Sequence, residues 1–228
     1  MCHGVASLAG FIFLWRAGSS DMSNKPSPIK LAIIAAHPSE LVPFVKMGRR
    51  HLIVKKNMAL LAAGVGPVAS TFGLTHFLED YRPEHIIAVG TAGIINPEKL
   101  AIGDVVVAKS ASMESGFSEC YTPKLQISRV THPSALPLAI RERVVMAHVF
   151  SPQEITVSPD WQKKFLQSNF DVEHLESFAF AFVAKKFRVP ITIILGLTNV
   201  IDSRAHVDWL KNRKALVTKV GKIAAAII

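Results

Sequence analysis

The chain has 228 residues, of which 50% are hydrophobic, and it carries a formal net charge of +9. This length buries enough apolar surface for one large α/β domain, so a second domain is not required. The basic residues are dispersed in pairs without interleaved aromatics, which indicates solvated faces and no nucleic-acid partner. Cys2 and Cys120 are too few for a disulfide scaffold or a metal site, so we expect a cytoplasmic protein.

The N-terminal segment has a different character from the rest of the chain. Ser7 to Trp15 is an apolar run that is too short to span a bilayer as a helix, and no Lys/Arg-rich segment leads into it. A second methionine, Met22, precedes a polar stretch and the first convincing strand. We therefore expect residues 1–28 to be an extension with Met22 as the native start, residues 29–228 to form one domain, and no membrane partner.

The first half of the chain predicts strands alternating with helices. The continuous apolar run from Leu31 to Ala36 predicts a buried strand, and Pro38 suits the first turn of a helix that continues through Val45. The other elements predicted here are a hairpin of strands at 51–54 and 58–63, a helix at 68–81, and buried strands at 86–89 and 104–108.

The second half of the chain is less regular. Residues 110–143 have little periodicity and predict a loop with a short helix. Further strands are predicted at 144–149, 154–157 and 191–197, and helices at 161–166, 175–187 and from 207 to the end. The alternation of buried strands with helices predicts an α/β fold whose mostly parallel or mixed sheet is covered on both faces.

Three groups of motifs, taken in order, resemble the nucleoside phosphorylase and nucleosidase superfamily. They are IIAAHPSEL at 33–41; the turns GVGPV at 64–68 and VGTAG at 89–93 with GDVV at 103–106; and LE at 175–176 with TNVID at 198–202. Within the superfamily the chain looks most similar to methylthioadenosine/adenosylhomocysteine nucleosidase and futalosine hydrolase. The resemblance implies a three-layer phosphorylase-like fold with a central mixed β-sheet flanked by helices, a purine nucleoside substrate and a homodimer.

Cleavage of the base–ribose bond passes through an oxocarbenium-like sugar cation, and hydrolysis also needs a base that activates water. The resemblance assigns the water-activating role to Glu40, which follows the first strand and would face the crevice at its carboxyl end. It assigns Glu176 to the ribose hydroxyls and Leu175, where the family usually has methionine, to an apolar contact with the sugar. From the residues alone, either glutamate could instead be an exposed residue favoured at a helix start.

The residues expected to face the base include one departure from the family. Asn199 stands where methylthioadenosine nucleosidase has an aspartate that delivers a proton to purine N7; an asparagine donates a hydrogen bond but is no acid at neutral pH. Relatives with asparagine there act on 6-oxopurines, which implies a hypoxanthine- or guanine-type leaving group. The nearby acid Asp202 could substitute, Trp161 lies near the family's stacking aromatic, and Thr91 and Gly93 could contact the water or the sugar. An ordinary turn asparagine and a core tryptophan are the alternatives.

The main question that the sequence leaves open is whether the nucleophile is water or phosphate. The related phosphorylases have an arginine just before the Val-Gly-Thr/Ser turn, and this chain has Ala88 there, so water is the expected nucleophile. We therefore predict an N-ribosyl hydrolase that needs no metal or cofactor and acts on a purine nucleoside, futalosine-like or otherwise modified at the 5′ position. A phosphorylase that uses phosphate and a non-catalytic nucleoside-binding protein are the two alternatives.

Overall fold

The computed structural model describes residues 27–45, 51–113, 140, 144–156, 158–167 and 169–227, without the side chains of Pro159 and Trp161. Within these residues eight strands form one mixed sheet, with helices packed against it. The strands are β1 (Ser27–Ala35), β2 (Leu52–Lys55), β3 (Met58–Ala62), β4 (Tyr81–Ile94), β5 (Val105–Ser112), β6 (Val145–Phe150), β7 (Val172–Glu173) and β8 (Ile191–Val200). The helices are α1 (Pro67–Asp80), α2 (Pro159–Gln167), α3 (Ser177–Lys186) and α4 (Ala205–Ala225), and a 3₁₀ turn spans Pro38–Glu40.

The centre of the sheet is β4, which pairs with three strands. It runs parallel to β1 over its first half and parallel to β8 over most of its length, and it pairs antiparallel with β7 at its end. Strand β3 is parallel to β1 as well, so the carboxyl ends of β1, β3, β4 and β8 lie at one edge of the sheet. That edge is where open α/β sheets usually bind ligands.

Both faces of the sheet are buried. One apolar cluster joins the sheet to α1 and α3 through Leu74, Phe77 and Phe180, and a second cluster joins the opposite face to α4 through Val220 and Ile223. Burial on two faces explains why the strands are apolar in continuous runs instead of alternating. The predicted α/β fold with a central mixed sheet flanked by helices is confirmed.

Several predicted elements need correction. The helix expected from Pro38 to Val45 is only the 3₁₀ turn followed by a bend, and no strand forms at 154–156. The helix predicted at 175–187 begins at Ser177, which leaves Glu176 at its N-cap. The two-residue strand β7 was not predicted, because a pair that short has no periodicity.

The largest error in length concerns β4, for which the sequence predicts only residues 86–89. Pairing extends the strand from Tyr81, where the predicted helix would still continue, to Ile94. Pro83 and the glycines at positions 90 and 93 have low strand propensity, so a local prediction ends the strand too early. Pairing with strands on both sides overrides this low propensity. The extra length carries the 90–94 segment to the ligand-binding edge.

Other predictions fall outside the described residues. These include residues 1–26, most of the predicted loop at 110–143 and Val157; β5 itself continues to Ser112. The first strand begins at Ser27, two residues before the predicted domain boundary. None of the described helices is long and apolar enough to cross a membrane.

Candidate active site

The first group at this edge is the carboxyl of Glu40, which the turn after β1 holds over the end of β4. Its Oε2 accepts a hydrogen bond from the His37 backbone N–H at 3.2 Å, which closes a capping box. Its Oε1 accepts from the Thr91 N–H at 3.2 Å. The side chain of Glu40 is therefore fixed across two chain segments and cannot swing freely into solvent.

The charge state of Glu40 is shifted towards neutrality. Burial and the negative charge of nearby Glu176 raise the pKa of Glu40 to about 7, although the amides of His37 and Thr91 act in the opposite direction. The residue as a whole is partly exposed, whereas its carboxyl is desolvated by burial. A carboxyl with a pKa near the working pH is suited to take a proton from water.

Glu176, at the N-cap of α3, is the second carboxylate. It is buried, and its Oε1 accepts a hydrogen bond from the Gly66 N–H at 2.7 Å. Gly66 precedes α1 and has φ of 84°, a conformation that favours glycine. The N-terminus of α1 thus supplies an amide and a favourable dipole to the carboxylate, which stabilises its negative charge.

His174 lies beside Glu176, and the sequence analysis did not identify it. Its Nε2 is 3.3 Å from Glu176 Oε2, and its Nδ1 is 2.8 Å from Ser177 Oγ. Burial lowers the pKa of His174, opposed by Glu176, so the ring is neutral. A carboxylate only accepts, so the single ring proton is on Nε2 and the Ser177 hydroxyl donates to Nδ1.

Gly90 provides the space that brings these groups together. A Cβ at residue 90 would lie 2.8 Å from His174 Nε2 and 3.4 Å from Glu40 Oε1. Any larger residue would push the histidine or the carboxyl away. We call Glu40, His174 and Glu176, arranged around Gly90, the carboxylate cluster.

Asn199 lies on the other side of the β4 end, on β8. The register between β4 and β8 passes from Ala92↔Leu197 to Gly93↔Asn199, so Thr198 is an extra, bulged residue that redirects the asparagine. The buried amide donates from Nδ2 to the Val200 carbonyl at 3.0 Å and accepts at Oδ1 from Thr198 Oγ1 at 2.8 Å. One N–H and one lone pair of the amide are left for a ligand.

Glu173 lies across β4 from Asn199 and was also missed. It pairs with Gly93 in the antiparallel register of β4 and β7, and it is only 6% exposed. Its Oε1 accepts from the Thr156 N–H at 3.0 Å. Its Oε2 is the one buried side-chain polar atom of the described residues that has no hydrogen-bond partner.

Comparison with known proteins agrees with this fold and its motifs. The model of the phosphorylase superfamily matches residues 26–228. The chain belongs to the phosphorylase superfamily. This is the family that the motifs indicated, and members of it are mostly enzymes acting on nucleosides.

Solved structures of superfamily members support the fold assignment. Native futalosine hydrolase of Helicobacter pylori strain 26695 matches with a TM-score of 0.73 at 18% identity, over 87% of this chain and 97% of that chain. An H. pylori 5′-methylthioadenosine/S-adenosylhomocysteine nucleosidase in complex with a substituted pyrrolidin-3-ol has a TM-score of 0.74 at 18% identity, over 88% of this chain and 98% of that chain. The corresponding nucleosidase of Streptococcus pneumoniae with 8-aminoadenine gives 0.72 at 18%, over 87% and 98%.

In this superfamily member the predicted site residues on β4 lie beside the groups described above. Thr91 donates its amide to Glu40, and its hydroxyl accepts from Trp209 Nε1 of α4 at 3.2 Å. Gly93 allows close approach, because a Cβ there would lie 3.1 Å from Asn199 Nδ2. The end of β4 therefore connects the carboxylate cluster to the asparagine.

The remaining predicted residues contribute less to the described site. Leu175 is partly exposed between His174 and Glu176. Asp202 Oδ1 accepts a hydrogen bond from the Arg204 N–H at 2.8 Å just before α4, and its suggested part in proton transfer stays a prediction. The side chain of Trp161 lies outside the described residues, so its stacking role stays a prediction.

The sequence contained a signal for the two missed residues. Glu173 and His174 are consecutive polar residues between Val172 and Leu175, in a segment that leads into an apolar helix. Polar groups buried in such a place need partners, which marks them as candidates for a site. The strand register places His174 near Gly90 and Glu173 opposite Gly93, and this register cannot be read from one sequence.

Proposed function

We propose that this phosphorylase superfamily member is a purine nucleoside N-ribosyl hydrolase that uses water as its nucleophile. The observation that carries the proposal is Glu40, a fixed carboxyl with a pKa raised to about 7 that lies close to the buried carboxylate of Glu176. A base near neutrality and a negative charge beside the sugar are the two groups that glycosidic hydrolysis requires.

The roles of the two carboxylates follow from their surroundings. Glu40 has a pKa raised to about 7, so its ionised form takes the proton from the attacking water, and the Thr91 hydroxyl donates a hydrogen bond to that water. Glu176 accepts hydrogen bonds from the ribose hydroxyls, and the contact with His174 fixes the orientation of the Glu176 carboxylate. As positive charge develops on the ribose, the negative charge of Glu176 becomes more stabilising than in the ground state.

Asn199 engages the departing base. Its free N–H donates to N7, which stabilises electron density that moves onto the purine as the bond breaks. Because an amide transfers no proton, the favoured leaving group is a 6-oxopurine, whose anion is more stable than that of adenine. The group at the 5′ position is not specified, and a homodimer remains the expected assembly.

One observation favours phosphorolysis as the second candidate. The Arg213 guanidinium carbon lies 4.5 Å from the centre of the Trp209 ring, and Trp209 donates to Thr91. Burial is the main cause of the lowered pKa of His37, and the positive charge of Arg213 is the second cause. This cation could attract phosphate towards the Thr91 turn. Against it, Ala88 is buried within β4, where the phosphorylases have their arginine.

Base release assayed with and without phosphate tests the proposal. Inosine, adenosine, methylthioadenosine, adenosylhomocysteine and futalosine are each incubated with the protein, and free base and sugar are separated by chromatography. We expect base and free ribose or modified ribose without phosphate. Release that requires phosphate and is lost in Arg213→Ala would favour phosphorolysis instead. No release from any compound, with purine binding retained, would favour a non-catalytic binding protein.

A further inference from the structure

The Trp209 side chain of α4 contacts the site without a part in the steps assigned so far. Its indole Nε1 donates a hydrogen bond to Thr91 Oγ1 at 3.2 Å, and the residue is partly buried. An indole N–H can only donate, and a tryptophan in such a place usually has an acceptor for it. The acceptor here is the hydroxyl that donates to the attacking water in the proposed reaction, so Trp209 is one bond away from the nucleophile.

A glycine on β8 brings α4 within reach of Thr91. Gly196 is paired with Thr91 in the parallel register of β4 and β8, and such paired residues project to the same face of the sheet. A Cβ at residue 196 would lie 2.9 Å from Leu216 Cβ on α4. The helix packs closely against this face because residue 196 has no side chain. Trp209, on the same helix before Leu216, can therefore reach the hydroxyl.

Two neighbours on α4 restrain the indole ring of Trp209. His206 stacks with it, with ring centroids 5.8 Å apart and an interplanar angle of 26°. The Arg213 guanidinium carbon lies 4.5 Å from the centre of the same ring. Residues three or four positions apart are neighbours on a helix surface, so both contacts follow from the spacing along α4. The direction of the indole N–H is thereby restrained by contacts within one helix.

The bond from Trp209 limits how the Thr91 hydroxyl can be used. A threonine hydroxyl has one hydrogen and two lone pairs. The indole N–H occupies one lone pair, so the hydroxyl hydrogen cannot point towards the indole. Among the residues that the structure describes, that hydrogen has no acceptor. It is therefore available to a ligand.

The Thr91 hydroxyl is close to the Glu40 carboxyl. The N–H of Thr91 donates to Glu40 Oε1 at 3.2 Å, and the hydroxyl belongs to the same residue. A hydroxyl oxygen lies ~3 Å from the nitrogen of its own residue, so Oγ1 and Oε1 are within ~6 Å of each other, about the span of two hydrogen bonds through one water. A single oxygen nucleophile can contact both groups.

We propose that Trp209 is a positioning residue whose indole N–H fixes the rotation of the Thr91 hydroxyl and directs its hydrogen to the nucleophile beside Glu40. This inference rests on the proposed hydrolysis and adds to it a residue that acts through Thr91. A water that donates to Glu40 and accepts from Thr91 keeps one lone pair for attack on the sugar carbon. Fixing that geometry before the reaction lowers the entropic cost of the attack.

The test is a double-substitution cycle in the full chain, built from Trp209→Phe and Thr91→Val. Phenylalanine keeps an aromatic ring without the N–H, and valine keeps the branched shape of threonine without the hydroxyl. Trp209→Phe alone should lower kcat for base release by about 10-fold, the effect of one hydrogen bond, with KM changed by less than about twofold. Combined with Thr91→Val, it should lower kcat further by no more than about twofold, because the hydroxyl that it orients is gone.

Two further variants separate positioning from packing. Thr91→Ser keeps the hydroxyl, so Trp209→Phe should again lower kcat by about 10-fold in that background. A purely structural effect of Trp209 would instead be the same with valine and with serine at this position. Val207→Ala changes a residue of α4 that is 66% exposed, and it should leave kcat, KM and the unfolding temperature unchanged.

Product analysis of the wild type tests hydrolysis, and the cycle tests Trp209. An unchanged kcat in Trp209→Phe, or an equal loss with and without Thr91→Val, would overturn the role of Trp209 while hydrolysis stands. Base release that requires phosphate would overturn hydrolysis, and coupling between the two substitutions in that reaction would uphold Trp209. A wild type that releases no base from any tested nucleoside would overturn both proposals.

Discussion

The two sides of the β4 end are built alike but differ in how their polar atoms are satisfied. Around Gly90, both oxygens of Glu40 and both of Glu176 have partners within the chain. Around Gly93, Glu173 retains a free oxygen and Asn199 a free N–H. Groups fixed by the protein suit a reaction that needs preorganised charge, whereas unsatisfied groups suit recognition of a ligand that completes them.

The carboxylate cluster should give the largest effect. Replacement of Glu40 by glutamine keeps its size but removes the base, so kcat for base release should fall by about 10²- to 10⁴-fold. Steady-state kinetics on the preferred nucleoside provide the measurement. Glu98→Gln, at an exposed position after β4, serves as the control and should retain full activity. Comparable rates in both variants would remove Glu40 from the mechanism.

The second prediction concerns Glu176. In Glu176→Gln the neutral amide no longer accepts strongly from the ribose hydroxyls, and kcat/KM should fall by about 10- to 100-fold. The comparison uses ribosides and the corresponding 2′-deoxyribosides, since the variant should lose more activity on the riboside. Equal losses on both sugars would show that Glu176 does not contact the 2′ hydroxyl. Glu84→Gln, an exposed change on β4, is the control.

The pH dependence tests the charge state of Glu40. Its pKa is raised to about 7 and the ionised form is the active one, so kcat/KM should fall by about tenfold for each pH unit below 7. The rate above pH 7 should be independent of this group. A profile that is flat from pH 5 to 8, with substrate ionisation controlled, would be incompatible with Glu40 as the base.

The smallest expected effect is a change in base preference when Asn199 is replaced. Asn199→Asp places an acid near N7, and the Val200 carbonyl, 3.0 Å from the present Nδ2, favours its protonated form. Activity on adenosine relative to inosine should therefore rise, by on the order of tenfold. Competition between the two nucleosides in one assay gives this ratio directly. A fall in the ratio would contradict the assigned role of the asparagine.

The sequence predicted some residues on each side of this comparison and missed one on each side. Glu40, Thr91 and Asn199 follow predicted strands in motifs whose order is visible along the chain, so they could be placed at the carboxyl edge. Glu173 and His174 could not be placed, because β7 has two residues and its position depends on pairing with β4 and β6. Such long-range register is invisible to local periodicity.

Prediction of the fold is limited by long-range pairing in the same way. Buried strands such as Leu31 to Ala36 were predicted because burial on both faces produces continuous apolar runs. The ends of β4 and the start of α3 were misplaced, because their limits depend on partner strands and on caps. For Asp202 the sequence suggested an acid near the base; the structure shows that its carboxylate accepts the Arg204 N–H, and its role at the base stays a prediction.

Isotope labelling tests hydrolysis of a purine nucleoside most directly. The protein is incubated with inosine in ¹⁸O-enriched water without phosphate, and the released sugar is analysed promptly by mass spectrometry against a control of unlabelled ribose in the same water. The account predicts free hypoxanthine and ribose labelled beyond that control, with both absent in Glu40→Gln. Hypoxanthine release only after phosphate is added, with ribose 1-phosphate as the product, would contradict it.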